Sequence, residues 1–190
     1  MILLTERDMK IIHFIETVGV ASIKQIRRVF FKSKQGDEIA RRRMREIIKH
    51  SNIKRTRSSF TNEYIYYVKN FKYLNHALAV TDFYIKLLEY GGEIKIFNRE
   101  FKIGSFRADA FIRYHLDKKA YLFFLEVHFS NKFNLKKYMD IYKSGEWAIL
   151  GTFPRLVIYT DKKNIKIDET EVPFKVFVLH TDTNISKIFL

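Results

Sequence analysis

The chain contains no cysteine among its 190 residues, and only two prolines and seven glycines. Without thiols it forms neither disulfides nor thiolate metal sites, so its fold depends on packing around a hydrophobic core. No apolar run approaches the roughly 18 residues that a membrane-spanning helix needs. The N-terminus also lacks a basic leader followed by an apolar stretch. We therefore expect a cytoplasmic protein with no membrane partner.

Acidic residues are scarce relative to basic ones. The chain has 21 Asp and Glu against 35 Lys and Arg, a formal charge of +14. The resulting positive field attracts polyanions, and nucleic acid is the partner to consider first. The excess is concentrated in residues 1–70, where 16 basic residues face 7 acidic ones. We predict a basic DNA-binding domain over residues 1–70 and a second domain over residues 71–190.

Local signals in the first domain predict three helices followed by a hairpin. Thr5 begins the first helix with a capping-box pattern, and Gly19 is placed to end it. Ser22 can cap a second short helix, and the third is predicted over residues 38–50. The following segment alternates as two short strands around the turn "SSFTNE", residues 58–63. Three helices followed by a basic hairpin are typical of a winged helix-turn-helix.

The third predicted helix has one apolar side and one cationic side. The major groove admits a single helix, and arginine binds both phosphates and the guanine edge. An arginine-rich face that is merely solvated is the alternative. We predict that duplex DNA is bound, without any cofactor, by Arg41, Arg42, Arg43, Arg45 and Lys49 of the helix and by Lys54, Arg55 and Arg57 of the hairpin.

The chain as a whole is predicted as α+β, and its second domain as an α/β domain with a mixed central sheet, in the order helix, three strands, helix, strand, strand. Two carboxylates fall inside its strand-like segments. Asp109 lies in "FRADAFIRYH" and Glu126 lies in "AYLFFLEVHF". Together with the order of elements, these two acids resemble the restriction-endonuclease-like PD-(D/E)xK fold.

That resemblance implies that Asp109 and Glu126 would hold Mg²⁺ or Mn²⁺ if the domain is an active nuclease. The fold's lysine would lie two residues after the second acid, where this chain has His128. A histidine there could accept a proton from water. The alternative is a retained acidic site without catalysis. Lys132, Lys136 and Lys137 could contact phosphate or simply be solvated.

Several segments in order along the chain resemble the replication-relaxation proteins of plasmids and other mobile elements. They are the winged helix, "LNHALAVTDFYIKL", "ADAFIRY", "FFLEVH" and "KKYMDIYKSG". The resemblance implies sequence-specific binding of double-stranded DNA as an accessory to replication, relaxation or transfer, with replication or relaxase proteins as further partners.

Duplex-reading domains often match palindromic half-sites, so we also expect a homodimer. Two other functions stay open at this point. One is a Mg²⁺-dependent DNA endonuclease or nickase that uses Asp109, Glu126 and His128. The other is a transcriptional regulator.

Overall fold

The computed structural model describes residues 4–129, 133–163, 165, 167 and 172–190. In this part the chain is α+β, with five α-helices and eight strands. It divides into two compact units, Met1–Ile85 and Lys86–Leu190. The division falls within helix α4, Leu74–Tyr90, and therefore later than the boundary expected between residues 70 and 71. None of the helices in the described residues has both the length and the apolar character to cross a bilayer.

The N-terminal half of α4 belongs to the first unit because its side chains complete that unit's core. Ala77 packs in an apolar cluster with Val20 and Ile65. The buried Thr81 hydroxyl donates a hydrogen bond to the Val20 carbonyl at 2.6 Å. These long-range contacts join α4 to the first unit, although nothing in the local sequence marks them.

The first unit combines three further helices with a small antiparallel sheet. Its elements are α1 Glu6–Val18, β1 Val20–Ser22, α2 Ile23–Phe30, α3 Gly36–Lys49, β2 Lys54–Arg57 and β3 Tyr64–Tyr67. The strand order is β1-β3-β2. The predicted helices and hairpin are confirmed. The three-residue strand β1 was not predicted, because so short a segment shows no recognisable period.

The caps of the first unit follow the sequence signals. Thr5 Oγ1 accepts the Asp8 backbone N–H at 3.3 Å, and the Asp8 carboxylate accepts the Thr5 N–H at 2.7 Å. Gly19 adopts a φ of 77° and donates its N–H to the Ile15 carbonyl at 2.7 Å. A glycine tolerates this conformation without the steric cost of a side chain, so α1 ends there.

The turn from α2 to α3 requires a glycine for a different reason. A Cβ atom on Gly36 would lie 2.0 Å from the backbone oxygen of Phe31. The close approach lets α3 begin directly after the turn. This turn therefore fixes where the cationic helix starts.

One buried ion pair joins α1 to α3. Asp8 has no solvent exposure, and Arg43 donates from Nε to its Oδ1 at 3.0 Å and from a second guanidinium nitrogen to Oδ2. Burial alone would raise the pKa of Asp8, but the hydrogen bonds from Arg43 and Thr5 outweigh it and lower the pKa. The carboxylate thus stays ionised, and the Arg43 guanidinium is committed to the interior of the unit.

The second unit is built on a five-stranded mixed sheet in the order β4-β5-β6-β7-β8. Its elements are β4 Glu93–Ile103, β5 Phe106–Leu116, β6 Lys119–Val127, α5 Lys136–Ser144, β7 Arg155–Thr160 and β8 Val176–His180. Strands β4, β5 and β6 pair antiparallel, whereas β6, β7 and β8 pair parallel. The crossover from β6 to β7 carries α5. The predicted mixed sheet and its element order are confirmed.

Helix α5 covers one face of this sheet. Tyr138 and Ile141 of α5 pack in one apolar cluster with Phe111, Phe124 and Leu156 from three adjacent strands. All five side chains are buried. Side chains alternate between the two faces of a sheet, so Asp109, two residues before Phe111, and Glu126, two residues after Phe124, lie on the face that α5 covers.

The Asp8–Arg43 pair makes a stability prediction. Arg43→Ala leaves a fully buried carboxylate without its guanidinium, so we expect the free energy of unfolding to fall by about 3 kcal/mol. The matched change Arg42→Ala removes an exposed cation one residue away, and we expect it to shift stability by less than about 0.5 kcal/mol. Urea unfolding monitored by circular dichroism measures both. Equal losses in the two variants would contradict the assignment.

The Asp8–Arg43 pair also predicts how the stability of the fold changes with pH. The pKa of Asp8 is lowered in the folded chain, so its stabilising contribution is complete above the ordinary aspartate pKa. It is lost as the pH falls through the lowered folded value. The stability gap between wild type and Arg43→Ala should therefore close in acid. A gap that widens on acidification would reverse the sign of this argument.

Candidate nucleic-acid interface and acidic pair

The outward side of α3 and the adjoining strand β2 form a concave cationic surface. Arg42, Arg45, Lys49 and Arg55 line a groove of about 630 Å³ together with Glu46 and Ile48. All four side chains are exposed. Helical spacing brings the three α3 residues to the same side, since positions three and four apart are neighbours on a helix. We name this surface the α3–β2 groove.

The other predicted cations of α3 are already paired. Arg41 donates from Nε to Asp37 at 2.9 Å, and the Arg43 guanidinium is held by the buried Asp8. Lys49, in the groove, also contacts Glu46 at 3.0 Å. Exposed pairs such as those of Arg41 and Lys49 contribute little and can exchange for a phosphate. The Arg43 pair cannot exchange without exposing a buried carboxylate.

Strand β2 presents the predicted hairpin cations. Lys54, Arg55 and Arg57 are all exposed. The guanidinium groups of Arg55 and Arg57 lie 4.5 and 5.0 Å from the Tyr64 ring centroid on β3. These cation–π contacts hold both arginines over one aromatic ring. The strand tyrosine is thus a support for the two arginines.

The two predicted acids are neighbours in the second unit. Ala110 of β5 pairs with Leu125 of β6, so one further step of the same antiparallel register puts Asp109 beside Glu126. Directly opposed residues lie on the same face of a sheet. The Asp109 carboxylate accepts the Val127 backbone N–H at 2.7 Å. The sheet therefore brings together two carboxylates that the sequence separates by 17 positions.

Glu126 is bound from the first turn of α5. The Lys137 ammonium donates to both carboxylate oxygens, at 2.8 and 2.7 Å, and also to the Arg107 carbonyl at 3.2 Å. The Tyr138 hydroxyl donates to the same carboxylate at 2.6 Å. Burial raises the pKa of Tyr138 well above its usual range, and the charge of Glu126 raises it further. The phenol therefore stays protonated and keeps donating.

This donor set does not fit a resident divalent ion. Mg²⁺ prefers several oxygen ligands with free lone pairs, whereas both oxygens of Glu126 are engaged with Lys137 and one also with Tyr138. A lysine ammonium at the carboxylate already supplies the positive charge there. No cluster of three or more His, Asp or Glu with metal-binding geometry occurs in the described part of the chain. Glu126 forms an ion pair that links α5 to the sheet, whereas Asp109 accepts the Val127 backbone N–H.

The other residues predicted for this site are His128, Lys132 and Lys136. The backbone N–H of His128 donates to the Tyr159 carbonyl at 2.9 Å. The His128 imidazole packs edge to face against Phe133, with ring centroids 5.2 Å apart. Lys136 is exposed. Lys132 lies outside the described residues. The cation that contacts Glu126 is thus Lys137, which comes from α5 and not from the position two residues after the acid.

Sequence reasoning missed the role of Tyr138. Tyr138 lies with Leu135, Met139 and Tyr142 in an apolar stripe at helical spacing, which indicates burial but not a hydroxyl aimed at Glu126. A tyrosine in such a stripe needs a hydrogen-bond partner when buried. That requirement, combined with the two acids in the preceding strands, is the signal that could have found it.

Comparison with protein-family models, curated proteins and solved structures finds no match for this chain.

The Lys137–Glu126 pair predicts a gain of metal binding on mutation. Lys137→Ala removes the ammonium and leaves two neighbouring carboxylates, so we expect the affinity for Mn²⁺ to rise by roughly tenfold or more. Binding to the folded state then raises the melting temperature as Mn²⁺ is added. Thermal unfolding of wild type, Lys137→Ala and the matched exposed variant Lys136→Ala measures this effect. An equal Mn²⁺ response in all three proteins would show that the ammonium does not compete with the ion.

Proposed function

We propose that this chain is a double-stranded DNA-binding protein whose first unit is a winged helix-turn-helix. In this proposal α3 lies in the major groove, and the β2–β3 hairpin is the wing. The element order α1, β1, α2, α3, β2, β3 and the strand order β1-β3-β2 support it. A helix with its side chains is about 10–12 Å across, and the major groove is about 12 Å wide.

The α3–β2 groove is the observation that carries the proposal. Its four exposed cations, from a helix and from the adjoining strand, line one concave surface. Phosphates are spaced regularly along the duplex, and each cation that neutralises one releases counterions. Arginines in such a surface bind phosphate or the guanine edge. Basic side chains distributed evenly over the molecule would not favour this geometry.

The second unit supports a more specific assignment. Its three antiparallel strands, crossover helix and two parallel strands agree with the expected PD-(D/E)xK-like order, and Asp109 and Glu126 fall on adjacent strands. Because Glu126 is paired with Lys137, we propose a nuclease-like domain without hydrolytic activity. It would serve as a platform for dimerisation or for a partner protein.

The resemblance to replication-relaxation proteins is the basis for proposing a biological role. We propose an accessory role in replication, relaxation or transfer of a plasmid or other mobile element, with a homodimer on palindromic half-sites. Footprinting on the DNA that encodes the chain distinguishes this role from transcriptional regulation. Protection confined to promoters would favour a regulator.

The salt dependence of binding tests the proposed interface. For wild type, log affinity should fall linearly with log salt, by about 0.9 per phosphate neutralised. Replacing Arg42, Arg45, Lys49 and Arg55 together with Ala should reduce the magnitude of the slope by roughly 3 to 4. Fluorescence anisotropy with a labelled duplex at several salt concentrations measures it.

A matched control separates the groove from net charge. Replacing four exposed cations of the second unit (Arg113, Lys119, Lys143 and Lys163) with Ala removes the same formal charge. We expect this variant to keep nearly the wild-type slope. The interface assignment is wrong if both quadruple variants lose the slope equally or if neither does.

Incubation with supercoiled plasmid tests the nuclease alternative. We expect no cleavage in Mg²⁺ or Mn²⁺ by wild type or by Asp109→Ala/Glu126→Ala. Cleavage by wild type alone would replace the platform with an active endonuclease.

A further inference from the structure

Phe60 projects from the tip of the β2–β3 hairpin. Its side chain is 84% exposed, the largest fraction among the large apolar residues that the structure describes. A phenyl ring left in water forgoes the free energy of burial. A single exposed apolar side chain is common on protein surfaces, so the significance of Phe60 depends on how it is held and on what surrounds it.

The tip that carries Phe60 is hydrogen-bonded internally. Ser58 is buried; its N–H donates to the Glu63 carbonyl at 2.9 Å, and its hydroxyl accepts the N–H groups of Phe60 and Thr61 at 3.3 and 3.2 Å. Asn62 donates its N–H to the Ser58 carbonyl at 3.0 Å. The loop therefore has a defined shape, and less conformational entropy is lost when its tip is inserted into a partner.

The tip is also connected to the helical part of the first unit. The carboxylate of Glu63, at the base of the loop, forms an ion pair with Lys24 of α2. The loop is thereby fixed at its base as well as along its own backbone. Phe60 is presented outward from a supported position.

The surroundings of Phe60 are cationic. Residues 54–62 contain three basic residues and no acidic one, and Arg55 and Arg57 are held over the Tyr64 ring. The Phe60 ring could bind an apolar surface, and the neighbouring arginines could bind negative charges. A matching partner therefore has anionic groups next to stacked apolar rings. Duplex DNA has this arrangement, with phosphates flanking the base stack in the minor groove.

We propose that Phe60 is an apolar wedge: the hairpin carries the ring into the minor groove, where it inserts between adjacent base pairs and kinks the duplex. The inference rests on the proposed duplex-binding function. Arg55 and Arg57, both on β2, bind phosphates beside the insertion point and hold the tip in place, and the ring replaces part of the stacking that the kink breaks. Wedges of this kind bend DNA by about 20 to 90°.

The experiment uses the full chain and a short duplex labelled at both ends with a fluorescence energy-transfer pair. Affinity is measured for the matched duplex and for the same duplex with a central mismatch, since a weakened step is easier to open. The variants are Phe60→Ala, Phe60→Leu and the exposed neighbour Thr61→Ala. Melting temperatures verify that all of them fold.

We expect wild type to shorten the end-to-end distance and to prefer the mismatched duplex by roughly tenfold. Phe60→Ala should lose both effects and keep the wild-type salt slope, because no charge is removed. Phe60→Leu should retain part of the bend, since an aliphatic wedge still inserts. Thr61→Ala should behave as wild type.

The outcomes separate this inference from the function on which it rests. If Phe60→Ala bends and discriminates as wild type does, with the salt slope intact, the wedge is wrong and duplex binding stands. If wild type shows no salt-dependent duplex binding, both the wedge and the proposed duplex-binding function are wrong. Binding to phosphatidylserine vesicles that depends on Phe60, together with DNA binding that does not, would assign the tip to a membrane surface and overturn the wedge.

Discussion

The pairing of the buried Asp8 with Arg43 is the constraint on which the first unit depends. A carboxylate without solvent exposure must stay paired or become neutral, and here hydrogen bonds from the cap of α1 and from α3 keep it ionised. The contact fixes the rotation of α3 about its own axis. Once Arg43 faces inward, Arg42 and Arg45 on either side of it are turned to the surface. The ion pair and the buried Ala40, Met44 and Ile47 of α3 together turn the cationic side of the helix outward.

In the second unit, a lysine neutralises one of the two acids on the sheet. Its two neighbouring acids lie against the start of α5, where Lys137 and Tyr138 satisfy the Glu126 carboxylate. That interaction ties the crossover helix to the strand that precedes it. It also neutralises a site that would otherwise attract a cation. The first unit, in contrast, gathers four exposed cations along one groove, and this concentration is why the proposed DNA contact lies there.

Much of the architecture was predictable from local patterns. Apolar residues at helical spacing and side-chain caps such as Thr5 indicated α1 to α3, and runs of β-branched and aromatic residues indicated the strands of the mixed sheet. The short strand β1 was not predicted, because three residues are too few to show an alternating hydrophobic pattern. The extent of the first unit was not predicted, because Ala77 and Thr81 join it through packing and a hydrogen bond that involve Val20, more than fifty positions away.

The amino-acid sequence by itself determined the excess of positive charge, the order of helices and strands, and the presence of one acid in each of two consecutive strand-like segments. Only the tertiary structure decided which cations are exposed and which are held in an interior ion pair. Arg42 and Arg43 are neighbours in the chain, yet one lines a groove and the other is bound to Asp8, 35 positions away. Composition and periodicity depend on near neighbours along the chain, whereas the pairing of a charge depends on which distant residue folding brings within about 3 Å of it.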